Sequence, residues 1–148
     1  MFEIPKMSDV AMEFFAMFAR MEYALTRVPE FRRNNDGRVE PDWNAFVETA
    51  AIRGLFSTLR ANPDANEIID KPPKQRLFDD HLPWGPQPPP CTCMKQVCRA
   101  MKNARNNLFH GEKGNAEQPR EQALLKAGIC IMNAMLEADN RVAQYYYF

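Results

Sequence analysis

The sequence predicts an all-α fold, an antiparallel four- to five-helix bundle with one long proline-rich crossover loop. Three observations carry this expectation. Apolar residues recur at helical spacing in four separate segments. Alternating apolar and polar runs joined by hairpin signals are missing. Eight of the twelve prolines fall between Pro63 and Pro90, so that stretch is neither one helix nor a central strand.

The first helix is expected to begin after Ser8, a suitable N-cap. Ala11, Phe14, Phe15, Phe18, Met21, Leu25 and Val28 form its apolar stripe, with Arg20, Glu22 and Arg27 largely off it, and Pro29 stops it. Residues 31–39 read as a polar connection with a turn at Asn35-Asp36-Gly37. The second helix is expected to open at Glu40-Pro41-Asp42, where proline suits the first turn and Asp42 complements the dipole. Trp43, Phe46, Val47, Ala50, Gly54 and Ser57 would share one face, and Asn62-Pro63 would end it. Small Ala50 and Gly54 would admit a neighbouring helix.

The arm over 63–90 is too apolar for a free linker. Ile68, Ile69, Leu77, Phe78, Leu82 and Trp84 are its expected anchors, with at most one short helix, folded over the core. A loop of this length within a domain is often functional. An alternative use of residues 86–90 is as a ligand for a proline-recognition module. The third helix spans about 92–110 with Met94, Val97, Cys98, Met101, Ala104 and Leu108 inward. The fourth starts near Pro119 and carries Leu124, Leu125, Gly128, Ile131, Met132, Met135, Leu136 and Val142 towards an aromatic tail, Tyr145 to Phe148. That tail reads either as a helix end packed on the body or as a dimer contact.

A chain of 148 residues with 45% apolar and 26% charged residues suits a single domain over 1–148 and excludes a mainly disordered one. Lysine plus arginine equals aspartate plus glutamate at 19 each, so no global basic field exists to bind nucleic acid. No apolar run is long enough to span a membrane. Residues 1–6 carry no secretory pattern, so a cytoplasmic location is expected, with Cys91, Cys93, Cys98 and Cys130 as free thiols. The Cys91-Thr92-Cys93 and Cys98 spacing fits no usual zinc knuckle, and neither metal nor cofactor is expected.

Chemistry concentrates at Arg105-Asn106-Asn107-Leu108-Phe109-His110-Gly111-Glu112-Lys113. The segment holds one of two histidines and a paired asparagine, a poor choice for a helix interior. Lys95, Arg99, Lys102, Arg105 and Lys113 stand within 91–113 against Glu112 alone, a net +4 that the rest of the chain balances. A five-residue separation turns Arg105 and His110 about 140° apart on one straight helix. They would meet if Gly111 folds His110 back, or if two copies face one another across a two-fold axis. Arginine offers a fork for phosphate oxygens and histidine moves protons near neutral pH. No nucleophilic serine or cysteine pairs convincingly with the histidine. RNA cleavage needs none, because the 2′-hydroxyl of the RNA itself attacks the phosphorus.

The run Arg105-Asn106-x-x-x-His110 resembles the R-x(4–6)-H motif of the HEPN superfamily. The wider "RNNLFHGEK", with "FFAMFARMEYAL" in the first helix and "DW" opening the second, is similar to stand-alone bacterial members. The resemblance implies an all-α, usually dimeric, metal-independent endoribonuclease, often a toxin or defence effector. It implies Arg105 and His110 as catalytic, with Asn106 supporting. Lys102, Arg99, Lys113 and Asn107 are the expected RNA-binding residues. The expected partners are RNA, a second copy forming a composite active site, and a separate antitoxin or sensor protein. Some toxin members carry a tyrosine two residues after the histidine; here that position is Glu112. The alternative is a non-catalytic HEPN-like module that binds RNA or a protein partner.

Overall fold

The computed structural model describes residues 7–109 and 119–148. The chain is mostly helical with one small antiparallel sheet. It begins with α1 (Asp9–Arg27), then a 3-10 turn at Pro29–Phe31 and the strands β1 (Arg32–Asn35) and β2 (Arg38–Pro41). Short helices follow: α2 (Trp43–Val47), α3 (Ala50–Arg53), α4 (Phe56–Arg60) and α5 (Asn66–Asp70). After the arm come α6 (Met94–Phe109), α7 (Pro119–Ala138) and α8 (Asn140–Tyr147).

The long helices form where periodicity places them. Ser8 caps α1 by accepting from the Ala11 amide at 3.2 Å. Phe14, Phe18, Met21 and Leu25 of α1 are buried against α7 and α8. Gly128 on α7 lies directly against the Phe14 ring. A Cβ there would stand 2.5 Å from Phe14 Cε2, so only hydrogen fits. Aromatic rings continue the core from Phe14 through Phe18 and Trp43 to Phe46 and Phe31, with neighbouring centroids 5.2–6.3 Å apart.

Four expectations are corrected. First, the connection over 31–39 is a β-hairpin, so the chain is not purely helical. Asp36 and Gly37 have φ of 50° and 81°, the left-handed pair that a two-residue hairpin turn requires. The Asn34 side chain accepts from the Gly37 amide at 2.7 Å. β1 is polar and exposed throughout, and in β2 Val39 is exposed while Glu40 and Pro41 are half-buried, so the strands carry no apolar alternation to reveal them.

Second, the single helix expected from residue 40 onward is three short helices, and Pro41 ends β2 instead of opening α2. Asp42 is the cap, accepting from the Ala45 amide at 3.0 Å. Thr49 takes extended backbone angles while its hydroxyl donates to the Phe46 carbonyl at 2.8 Å, a local bond that competes with the helix. The break turns the apolar face: Ile52 and Leu59 are buried, whereas Ala50, Gly54 and Ser57 face solvent.

Third, only part of the arm is anchored as expected. Ile68 and Ile69 of α5 are fully buried, but Phe78 and Leu82 are exposed. The arm is tied by backbone instead. The Leu77 amide donates to Pro83 at 2.7 Å, Gly85 to Gln75 at 2.8 Å and Cys91 to Ile69 at 2.8 Å.

Fourth, the last helix divides at Asp139, whose buried carboxylate accepts from the Arg141 and Val142 amides at 2.9 and 3.2 Å. The division lets α8 fold onto α1. There Arg20 Nε donates to the Tyr146 carbonyl at 2.8 Å and the Arg27 guanidinium lies 5.1 Å from the Tyr145 ring. Tyr147 and Phe148 remain exposed.

Candidate functional site

The informative helix is α6. Its inward side, Met94, Val97, Cys98, Met101 and Ala104, is buried. Its outward side has no carboxylate. At 100° per residue, Lys95, Arg99, Lys102 and Asn106 fall within about 60° of one another. Arg105 flanks this stripe on one edge, and Asn103 and Asn107 flank it on the other. α6 therefore has two dissimilar flanks.

The Arg105 flank is closed. Arg105 Nη1 donates to Glu22 Oε1 of α1 at 3.1 Å, and its Nε and Nη2 donate to Asn106 Oδ1 at 3.3 and 3.1 Å. Glu22 Oε2 accepts from the Trp43 indole of α2 at 3.0 Å. The guanidinium carbon sits 4.7 Å from the Phe18 ring centroid. Lys102 Nζ lies 6.0 Å from the Trp43 ring. Both partners of the ion pair are about 30% exposed (30% and 29%), so water screens the pair only in part. A guanidinium has five N–H groups. One on each terminal nitrogen is left without a partner among the described residues, a fork for a phosphate oxygen.

Helical spacing explains the assembly. Glu22 is one helical turn after Phe18 on α1 and beside buried Met21, so it stands at the edge of the apolar stripe. Its charge sets Glu22 largely off the stripe, and its position one turn after Phe18 was the available signal that it borders the core. Trp43 enters because Asp42 caps α2 and aims its first turn inward.

The Arg99 flank is open. The proline-rich arm runs beside α6 and leaves a groove of about 510 Å³, walled by Pro72, Pro88 and Ala100 among others, with Arg99, Asn103 and Gln75 on its lining. Asn107 Nδ2 donates to the Lys74 carbonyl at 3.0 Å and so fastens the arm to α6. Beyond that tie lies a smaller pocket of about 260 Å³ lined by Lys71, Lys74, Trp84 and Arg120. Arg120 is engaged by the Glu67 carboxylate and the Lys71 carbonyl. His81 is an exposed loop residue whose amide donates to Asp79 Oδ1 at 2.9 Å.

The residues singled out from sequence thus divide. Arg105, Asn106 and Lys102 gather round Glu22 and Trp43. Arg99 faces the groove, and Asn107 serves the arm. His110 and Lys113 lie outside the described residues. Asn103, four residues after Arg99 and so beside it on α6, was missed, as was Glu22.

The thiols do not supply a nucleophile at neutral pH from the buried positions. Burial pushes Cys98 up to about 12 and Cys91 up to about 11. Among the described residues, no group of three or more His, Cys, Asp or Glu side chains could hold a metal ion. None of the described helices is long and apolar enough to cross a membrane. The chain matches no protein-family profile, no curated protein and no solved structure.

Proposed function

We propose that the chain is a metal-independent endoribonuclease of the HEPN type, a helical bundle in which α6 carries the site. One observation carries the reading: α6 presents Lys95, Arg99, Lys102 and Arg105 with interleaved asparagines and no acid, and leads directly to His110. Such a face suits a phosphodiester backbone. In the proposed reaction the ribose 2′-oxygen forms a bond to phosphorus while the bond from phosphorus to the 5′-oxygen breaks. The proton leaves the 2′-hydroxyl and a proton joins the departing 5′-oxygen, with His110 serving one of these transfers. Arg105 stabilises the charge that builds on the phosphorane oxygens, and Asn106 holds the guanidinium plane. Lys102, Arg99 and Lys113 bind neighbouring phosphates. A two-fold dimer would let each Arg105 approach the partner's His110, and a separate antitoxin or sensor would restrain a cytoplasmic nuclease.

Cleavage of single-stranded or loop RNA that persists in EDTA and leaves 2′,3′-cyclic phosphate ends is the expected result. DNA, which lacks the 2′-hydroxyl, should be left intact. Strict dependence on magnesium, or equal cleavage of DNA, would reject the mechanism. Light scattering at micromolar concentration checks the dimer, and a monomer would remove the composite site.

A second reading has an observation of its own. Glu22 neutralises Arg105, and three of its N–H groups are already engaged. That arrangement also suits a module that binds RNA without cutting it. The His110→Ala variant separates the two: it abolishes turnover in the first reading and is silent in the second.

A further inference from the structure

We infer that the groove between the proline-rich arm and α6 is a base-binding subsite, which seats one nucleotide of a single-stranded RNA beside the α6 stripe. The inference rests on the RNA reading above and adds where the strand runs.

The groove has the composition that a planar heterocycle needs. Its walls are apolar, built from prolines of the arm and Ala100 of α6, and suit the faces of a base. Four amide side chains, Gln75, Gln87, Gln96 and Asn103, lie on its lining. Gln87 donates to the Pro72 carbonyl and Gln96 accepts from Thr92, and Gln75 and Asn103 suit the edges of a base. Its volume of about 510 Å³ is within the usual range for small-ligand sites. A lining rich in proline has few N–H groups, so apolar contact is made without stranding donors.

Charge identifies the occupant further. Arg99 is the only charged residue among the described residues that line the groove. The groove shares Pro73 and Gln87 with the smaller pocket, where Lys71, Lys74 and Arg120 stand with Glu121. An apolar slot with Arg99 on its lining and two lysines in the adjoining pocket fits a base whose flanking phosphates meet cations, which is the repeating unit of a single strand. A duplex would not present an unpaired base to a slot of this kind.

The groove is also preformed. The arm is held to itself by the Leu77 and Gly85 amides, to α5 by Cys91 and to α6 by Asn107. Gln87 Nε2 braces it further by donating to the Pro72 carbonyl at 2.7 Å. A wall fixed before binding loses little conformational freedom when a strand arrives.

The test uses the full chain as His110→Ala, so that any cleavage is suppressed, and a short single-stranded oligoribonucleotide substituted with 4-thiouridine. Photocross-links are expected on the arm over 72–90 or on α6 over 96–103. In the same background Gln75→Ala/Asn103→Ala should weaken binding about tenfold, the scale of one lost base contact. Its salt dependence should not change, because no charge is removed. Bound RNA with cross-links confined to other segments and an unchanged affinity would overturn the subsite while leaving the RNA reading in place. Adenosine monophosphate competing as tightly as the oligonucleotide would overturn the strand in favour of a small anionic ligand. Failure to bind any RNA at low salt would overturn both the subsite and the reading on which it rests.

Discussion

Two flanks of one helix differ in how they treat an arginine. On one, Arg105 is paired with Glu22, laid on Phe18 and braced by Asn106. On the other, Arg99 is exposed at the rim of a groove, with no ion-pair partner among the described residues. A pinned guanidinium is positioned but contributes little net charge. An unpaired one attracts phosphate but is free in its torsions. Under the proposed RNA-cleaving function the contrast becomes a division of labour, with orientation and chemistry assigned to the Arg105 flank and strand binding to the Arg99 flank.

The largest effect expected from this division falls on His110→Ala, which should lower single-turnover cleavage at least ~10²-fold and leave RNA affinity nearly unchanged. Rapid-quench assays with titrations on the same protein check it. A wild-type rate in the folded variant would remove chemistry from this end of α6.

Glu22→Gln sharpens the contrast further. The amide oxygen can still accept from the Trp43 indole, but the countercharge to Arg105 is gone. RNA affinity should rise, by about three- to tenfold at low salt, while turnover falls because the guanidinium is no longer fixed. Affinity that drops together with turnover would show that Glu22 only holds the fold.

How much of this could be read from the sequence depended on where the determinants lie. α1, α6 and the start of α7 follow directly from apolar spacing with Ser8, Pro29 and Pro119 as punctuation. The hairpin escaped because Arg32–Asn35 and Arg38–Pro41 bury no apolar face, leaving Asp36-Gly37 as the sole signal. The three-way break of the second helix hangs on a Thr49 hydroxyl finding the Phe46 carbonyl, a choice that periodicity does not register. Site cations were legible as local charge on 91–113. Their distribution over two flanks was not, because the partner of Arg105 comes from 83 positions earlier in the chain. The arm's role was illegible for a related reason: its walls are set by backbone pairing and by Asn107, not by its large apolar side chains.

Smaller effects test the open flank. Asn107→Ala removes the tie to Lys74 and should speed hydrogen exchange and limited proteolysis within 72–90, with a stability loss of only about 1 kcal/mol. Unchanged protection of the arm would mean that its own backbone pairs suffice. The buried thiols give the mildest readout. Folding favours the protonated forms of Cys91 and Cys98, which titrate near 11 and 12. Their contribution to stability should therefore be fully present below about pH 8 and decline above about pH 9, where unfolded thiols ionise. Alkylation at pH 8 should reach exposed Cys93 well before either, and equal rates at all three would contradict the burial.

The division of labour is tested most directly by comparing Arg99→Ala with Arg105→Ala in one experiment, measuring affinity against salt and single-turnover rate at saturating RNA. For Arg99→Ala the account predicts weaker binding, a salt slope lower by about one and a near-wild-type rate. For Arg105→Ala it predicts a rate loss of about 10²-fold or more, with a stability loss of about 1–2 kcal/mol as Glu22 loses its partner. Equal losses of affinity and rate in both variants would contradict it.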